Sequence, residues 1–250
     1  MAIGVLLGFL ALHPPGWLRA LGPFRYAAMA AVVLLLLVGF VALLIASNLP
    51  ADVKMVPSQA SLPPGMVSLE GEFRALGFVP VGPPLEVGTA PPALVQAFVH
   101  DEARAYGTVF RTGTLPARVA FDCFSLLAGG RGGLSSGAER GGAVLPAGPG
   151  SLSQIIPGAS VARLFAVHRR ALEFLCVRGL VARPVSAATF ETDFRNGLAR
   201  QRRSFLRAPL RSAVIAIWRT ATRTTPHLGP IEGQRVAQRQ LRFLLTGAGA

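Results

Sequence analysis

The alternation of apolar and polar positions changes character several times along the chain. Between Arg25 and Asp52 lie 26 residues without a charge, and residues 27–47 hold one polar side chain, Ser47, at their end. Twenty-one residues at 1.5 Å each make a helix about 30 Å long, the thickness of a bilayer's hydrocarbon core. Trp17 and Tyr26 precede the run, where interfacial aromatic residues sit. A buried core helix of this length ordinarily keeps a polar face, so the pattern predicts one transmembrane helix over 27–47. A cleavable leader fits less well, because the run begins only after 26 residues and is longer than an ordinary leader core. Residues 1–12 are apolar too, but they stop at His13-Pro14-Pro15-Gly16, too short to span. They read as half of a second segment, an interfacial piece or the product of a misplaced start codon.

After the span, Pro50, Pro57, Pro63 and Pro64 mark residues 48–69 as an extended tether. Short runs over 76–82, 93–100, 105–112 and 117–124 then read as strands, parted by Pro83-Pro84, Pro91-Pro92, the polar turn His100-Asp101-Glu102, and Gly113 with Pro116. Such short connections imply antiparallel neighbours. Residues 125–158 contain ten glycines and read as a long loop, with one possible strand at "GGLSSG". From Val161 the period becomes helical: Leu164, Phe165, His168, Leu172, Leu175 and Cys176 share one stripe, and Gly179 ends it. A second helical region starts at a Ser186 cap and runs to about Thr225, with interruptions expected at Gly197 and Pro209. A last helix is expected over 231–245, before a tail at 246–250. The expectation is an α+β domain over 70–245, a small antiparallel sheet packed in two layers with C-terminal helices, behind the flank 1–26 and the membrane helix.

Composition agrees with a membrane protein: 51% of residues are hydrophobic, 15% are charged and the mean hydropathy is +0.48. All basic residues but Lys54 are arginine, which with 28 glycines and 20 prolines fits a GC-rich genome. The charge of +13 is uneven, since residues 195–250 hold eleven arginines and one acid, Glu232. Arg19 and Arg25 before the span against Lys54 after it place the large C-terminal part on the extracytoplasmic side of a bacterial cell membrane. Cys123 and Cys176 are far apart and read as two buried thiols.

Candidate chemistry is sparse. Gly133-Leu134-Ser135-Ser136-Gly137 matches G-x-S-x-G, but a nucleophile elbow needs a helix after its serine, and "AERGGAVLPAGPG" cannot supply one. Asp193 and His227 complete an Asp-then-His order only nominally. The tract "GGRGGLSSG" lacks the lysine of a phosphate-binding loop. His168 reads as a core histidine with one hydrogen-bond partner, against a general base or metal ligand with Asp122 or His100 as companion. The four histidines share no metal-ligand spacing, so neither a metal nor a cofactor is expected, and no catalytic residue is assigned.

The arginines are the remaining feature. Leu206, Leu210, Ala213, Val214, Ile217 and Ala221 form an apolar stripe, with Arg203, Arg207 and Arg211 as an i,i+4 row beside it. The stripe packs on the sheet with solvated arginines, or the row meets anionic lipid headgroups, or it meets nucleic acid. An anchor holds the helix near lipid, and no nucleic-acid motif is present.

In element order, and in "LGFVPVG", "YGTVFRT" and "SVARLFAVHRRALEFL", the chain resembles a loose group of bacterial membrane-anchored proteins with no assigned activity. The resemblance implies the fold and no catalytic residue. The expected function is a membrane-anchored, non-catalytic accessory or interaction domain of unknown partner, with the bilayer as one contact. The alternatives are a serine hydrolase using Ser135, or a tethered binder of nucleic acid or another polyanion.

Overall fold

The computed structural model describes residues 24–48, 54–88, 92–111, 118–130, 132–138, 150–222 and 227–246. Residues 1–12 and the tail fall almost wholly outside them. Helix α1, Arg25–Asn48, covers the apolar run and is long and apolar enough to cross a membrane. The stretch expected as a tether is built into the fold from residue 54 onward. Strand β1 (Met55–Pro57) joins the sheet, and Pro64 opens helix α2 (Pro64–Ala75). Proline at the first helical turn costs no hydrogen bond and presets φ. Met66, Leu69 and Phe73 then point one way into the core, while Glu70 and Arg74 pair at 2.8 Å on the outside.

Strands β2 (Val79–Pro80), β3 (Leu85–Val87), β4 (Ala93–His100), β5 (Ala105–Arg111), β6 (Val119–Leu126), β7 (Gly133–Gly137) and β8 (Ser151–Ile155) complete an eight-stranded sheet. Its order is β1-β3-β4-β5-β6-β7-β8, with β2 also paired to β4. The β4–β5 hairpin turns over residues 101–104, as the polar His100-Asp101-Glu102 suggests, with His100 opposite Ala105. Two expectations about the sheet need correction. The sheet is mixed, because β7 and β8 run parallel, with Gly133 beside Ser151. The Gly-rich tract 125–158 is not one loop, since it supplies the end of β6 and both of these strands.

Helix α3 (Val161–Cys176), α4 (Ala187–Arg207), α5 (Pro209–Thr222) and α6 (Arg235–Thr246) follow. Ser160 and Ser186 cap α3 and α4, Ser186 through a reciprocal pair with Thr189. The helices cover both faces of the sheet, so the domain has three layers rather than two. On one face Met66, Phe73, Phe98, Val109, Cys123, Leu164 and Phe165 pack together, and the same face continues through Leu134, Leu152, Leu175 and Leu241 of α6. On the other, Val95, Ala97, Val99 and Tyr106 meet Phe190, Phe194 and Leu198 of α4. Burial on both faces explains why β4 reads as a continuous apolar run instead of alternating. Gly197 does not interrupt α4. The break falls at Ala208, whose φ of −150° and ψ of 67° end the helix before Pro209. Cys123 is buried and free as expected, but Cys176 is exposed.

Candidate membrane-contact site

The sequence-predicted residues fall into three separate places. Ser135 lies in the middle of β7, paired with Phe124 and Ser153. An elbow serine stands at the turn leaving its strand, whereas β7 continues through Ser135 to Gly137. Its neighbour Ser136 faces the opposite side of the sheet and meets His168, which α3 presents to β6, β7 and β8.

That histidine has two serine partners, not one, and neither His100 nor Asp122 is among them. The proton positions follow from the donors. Ser125 Oγ donates to the Arg104 carbonyl at 2.8 Å, so its oxygen accepts from His168 Nε2 at 2.9 Å. Nδ1 is then an acceptor for Ser136 Oγ at 2.7 Å, and Ser136 accepts from Gln154 Nε2 at 2.7 Å. All four residues are at most 1% exposed. A neutral imidazole satisfies every one of these groups, whereas a second ring proton would collide with the Ser136 hydroxyl hydrogen. Burial accordingly pushes the His168 pKa down to about 3. With no solvent access, Ser136 and His168 brace α3 onto three strands. The sequence hid this network because Ser125, Ser136 and Gln154 lie in the Gly-rich tract that reads as a loop, and their strand pairing has no local signature.

Asp193 is likewise part of a buried polar group and has no contact with His227. Tyr106 donates its hydroxyl to Asp193 Oδ2 at 2.8 Å and lies 2.8 Å from Thr189 Oγ1. Arg183 Nη2 pairs with the other carboxylate oxygen. Burial, then the charges of Arg183 and Arg203, lower the Arg200 pKa, against the opposing charge of Asp193. Arg183 and Arg200 therefore share the field of one carboxylate on α4. Asp122 stands on the same face of the sheet. Burial raises its carboxyl pKa to about 6, against the opposing hydrogen bond from Thr108 Oγ1. Among the described residues, no three His, Cys, Asp or Glu side chains gather as a metal site.

The predicted basic row is divided by the Ala208 break. Arg203 and Arg207 belong to α4 and Arg211 to α5, and all three are exposed. Arg203 turns its Nε back to the Ala199 carbonyl at 3.4 Å. The apolar stripe beside the row does not pack on the sheet as a unit. Ala213 and Ile217 of α5, with Phe205 of α4, close instead on Val38, Val41 and Ala42 of α1. Leu206, Leu210, Val214 and Trp218 remain exposed, Trp218 by 65%. The apolar helix and the basic helices thus form one assembly: α1 supplies an apolar surface, α5 lies against it, and Arg203, Arg207 and Arg211 flank the break between α4 and α5. Comparison with models of known families, with curated proteins and with solved structures finds no match to this chain.

Proposed function

We propose that this chain is a membrane-anchored, non-catalytic interaction domain, held against an anionic lipid surface by Arg203, Arg207 and Arg211 and serving a membrane partner of unknown identity. The observation that carries the reading is the packing of Phe205, Ala213 and Ile217 on Val38, Val41 and Ala42. If α1 is the anchor, the basic ends of α4 and α5 stand beside it, at the lipid surface. There each basic residue contributes about 1 kcal/mol of attraction to anionic headgroups. No acid occurs between Asp193 and Glu232, so nothing in this segment cancels that attraction. The domain then stands on the extracytoplasmic side, by the arginines that flank the start of the span. A nucleic-acid role would need the opposite topology.

Hydrogen exchange of the full chain in lipid nanodiscs tests this. Amides of residues 200–211 are expected to exchange more slowly in anionic than in zwitterionic discs at low salt. The difference should shrink as the Debye length falls to about 8 Å at 0.15 M. Replacing Arg203, Arg207 and Arg211 together by Gln should abolish it while leaving the sheet's exchange unchanged. Equal exchange in both lipids at low salt overturns the lipid contact.

A further inference from the structure

Helix α5 has apolar side chains on more of its circumference than one packing partner can cover. At 3.6 residues per turn, Ala213 and Ile217 face α1, and Leu210, Val214, Trp218 and Ala221 follow directly around the helix. Arg211, Ile215, Arg219, Ser212 and Ala216 occupy the remaining side, of which Ser212 and Ala216 are buried. The α1-facing and exposed apolar stripes are therefore neighbours, forming a single broad face with Arg211 at its Trp218 edge. Leu206, at the end of α4, extends the exposed stripe.

Depth decides what covers that face. The apolar segment of α1 suited to span includes Tyr26–Leu43, and α5 meets it at Val38, Val41 and Ala42. Val38 is five residues before Leu43, and the apolar run continues beyond Leu43, so at 1.5 Å per residue Val38 lies at least about 8 Å inside its end. Side chains packed on Val38 share its depth. Leu34, Leu35, Phe40 and Leu43 of α1 are exposed as well, so the bare stripe of α5 continues an apolar surface that hydrocarbon must cover.

We infer that α5 is a second membrane-embedded helix, sunk beside α1 into one leaflet, with acyl chains covering Leu206, Leu210, Val214 and Trp218. The inference rests on α1 being the membrane anchor. Fourteen residues, about 21 Å, are too short to cross a core of about 30 Å, so α5 enters without spanning. Long arginine side chains at the border of such a face reach the headgroups while their stems lie along hydrocarbon. Arg211 stands at that border, next to Trp218 around the helix.

Trp218 reports on this directly. The chain has two tryptophans, so Trp17→Phe leaves Trp218 alone. The full chain reconstituted in vesicles should then emit at short wavelength, lose most of its emission when the lipids carry bromine on the acyl chains, and resist aqueous acrylamide. A Val214→Trp variant made with Trp17→Phe and Trp218→Phe should behave alike, which frees the result from dependence on one ring. Phe40→Trp in the same background reports on the anchor. Quenching of Phe40→Trp by brominated lipid, with Trp218 open to acrylamide, overturns the embedding of α5 and leaves the anchor standing. Trp218 shielded from both quenchers means that protein covers the face, which also overturns it. If neither probe senses bromine, the anchor itself is refuted.

Discussion

Protonation of one imidazole should dominate the acid sensitivity of the fold. His168 is neutral in the folded chain, with a pKa near 3, while an unfolded histidine titrates near 6.5. Between these values the unfolded chain binds a proton that the native one refuses, so stability rises with pH across the window. Read downwards, it is fully present above about 6.5 and is lost as pH falls towards 3, by about 3 kcal/mol at pH 4. Asp122 works in the opposite direction. Its raised pKa of about 6 means stability declines as pH rises from about 4 to 6, which partly masks the histidine. Melting in detergent as a function of pH checks this: His168→Gln should lower the melting temperature at neutral pH and flatten the decline below pH 6. An unchanged slope in that variant would refute the assignment. At this scale the sequence was half legible. His168 could be recognised as a core histidine from its place on the apolar stripe of α3, but its partners lie 43 and 32 residues away, on strands whose pairing no local pattern reveals.

Legibility of the elements followed the strength of their periodicity. Helix α3 could be read because Val161, Leu164, Phe165, His168 and Leu175 recur at helical spacing and are all buried. Helix α2 was missed although Met66, Leu69 and Phe73 stand at the same spacing, because Pro64, Gly65 and Gly71 suggest an extended segment. Strand β8, "SLSQI", was hidden by glycine-rich surroundings and by polar residues on both faces. The contact that holds α2 is tight. A Cβ at Gly107 of β5 would overlap the Phe73 ring, approaching Cδ1 to 2.8 Å. That ring is fully buried and stacked on Phe98 at 5.0 Å, so it cannot swing aside. Gly107→Ala should therefore destabilise the domain by about 1 to 3 kcal/mol, the usual cost of overpacking. Denaturation in detergent measures it, and a neutral result would mean that α2 sits further from β5 than described.

For the molecule as a whole, the strongest sequence signal and the structure agree on an N-terminal apolar helix. What the sequence did not disclose is that this helix has a partner inside its own chain. The stripe from Leu206 to Ala221 looked like one face packing on the sheet, because a helical wheel shows which residues align but not what they meet. The break at Ala208, the closure of Ala213 and Ile217 on α1, and the exposure of Trp218 all depend on tertiary placement. Proximity of α1 and α5 within the membrane is therefore the central claim, and cross-linking in membranes tests it most directly. Ala42 and Ala213 both belong to the contact, and cysteine adds a single heavy atom to alanine. With Cys176 replaced by alanine, a chain carrying Ala42→Cys and Ala213→Cys should be joined internally by a short bismaleimide added to intact membranes. A control pair of Ala42→Cys and Glu70→Cys should not be joined. If the Ala42/Ala213 pair also stays unlinked while both thiols react with a monofunctional maleimide, α5 does not lie on the anchor, and the account is contradicted.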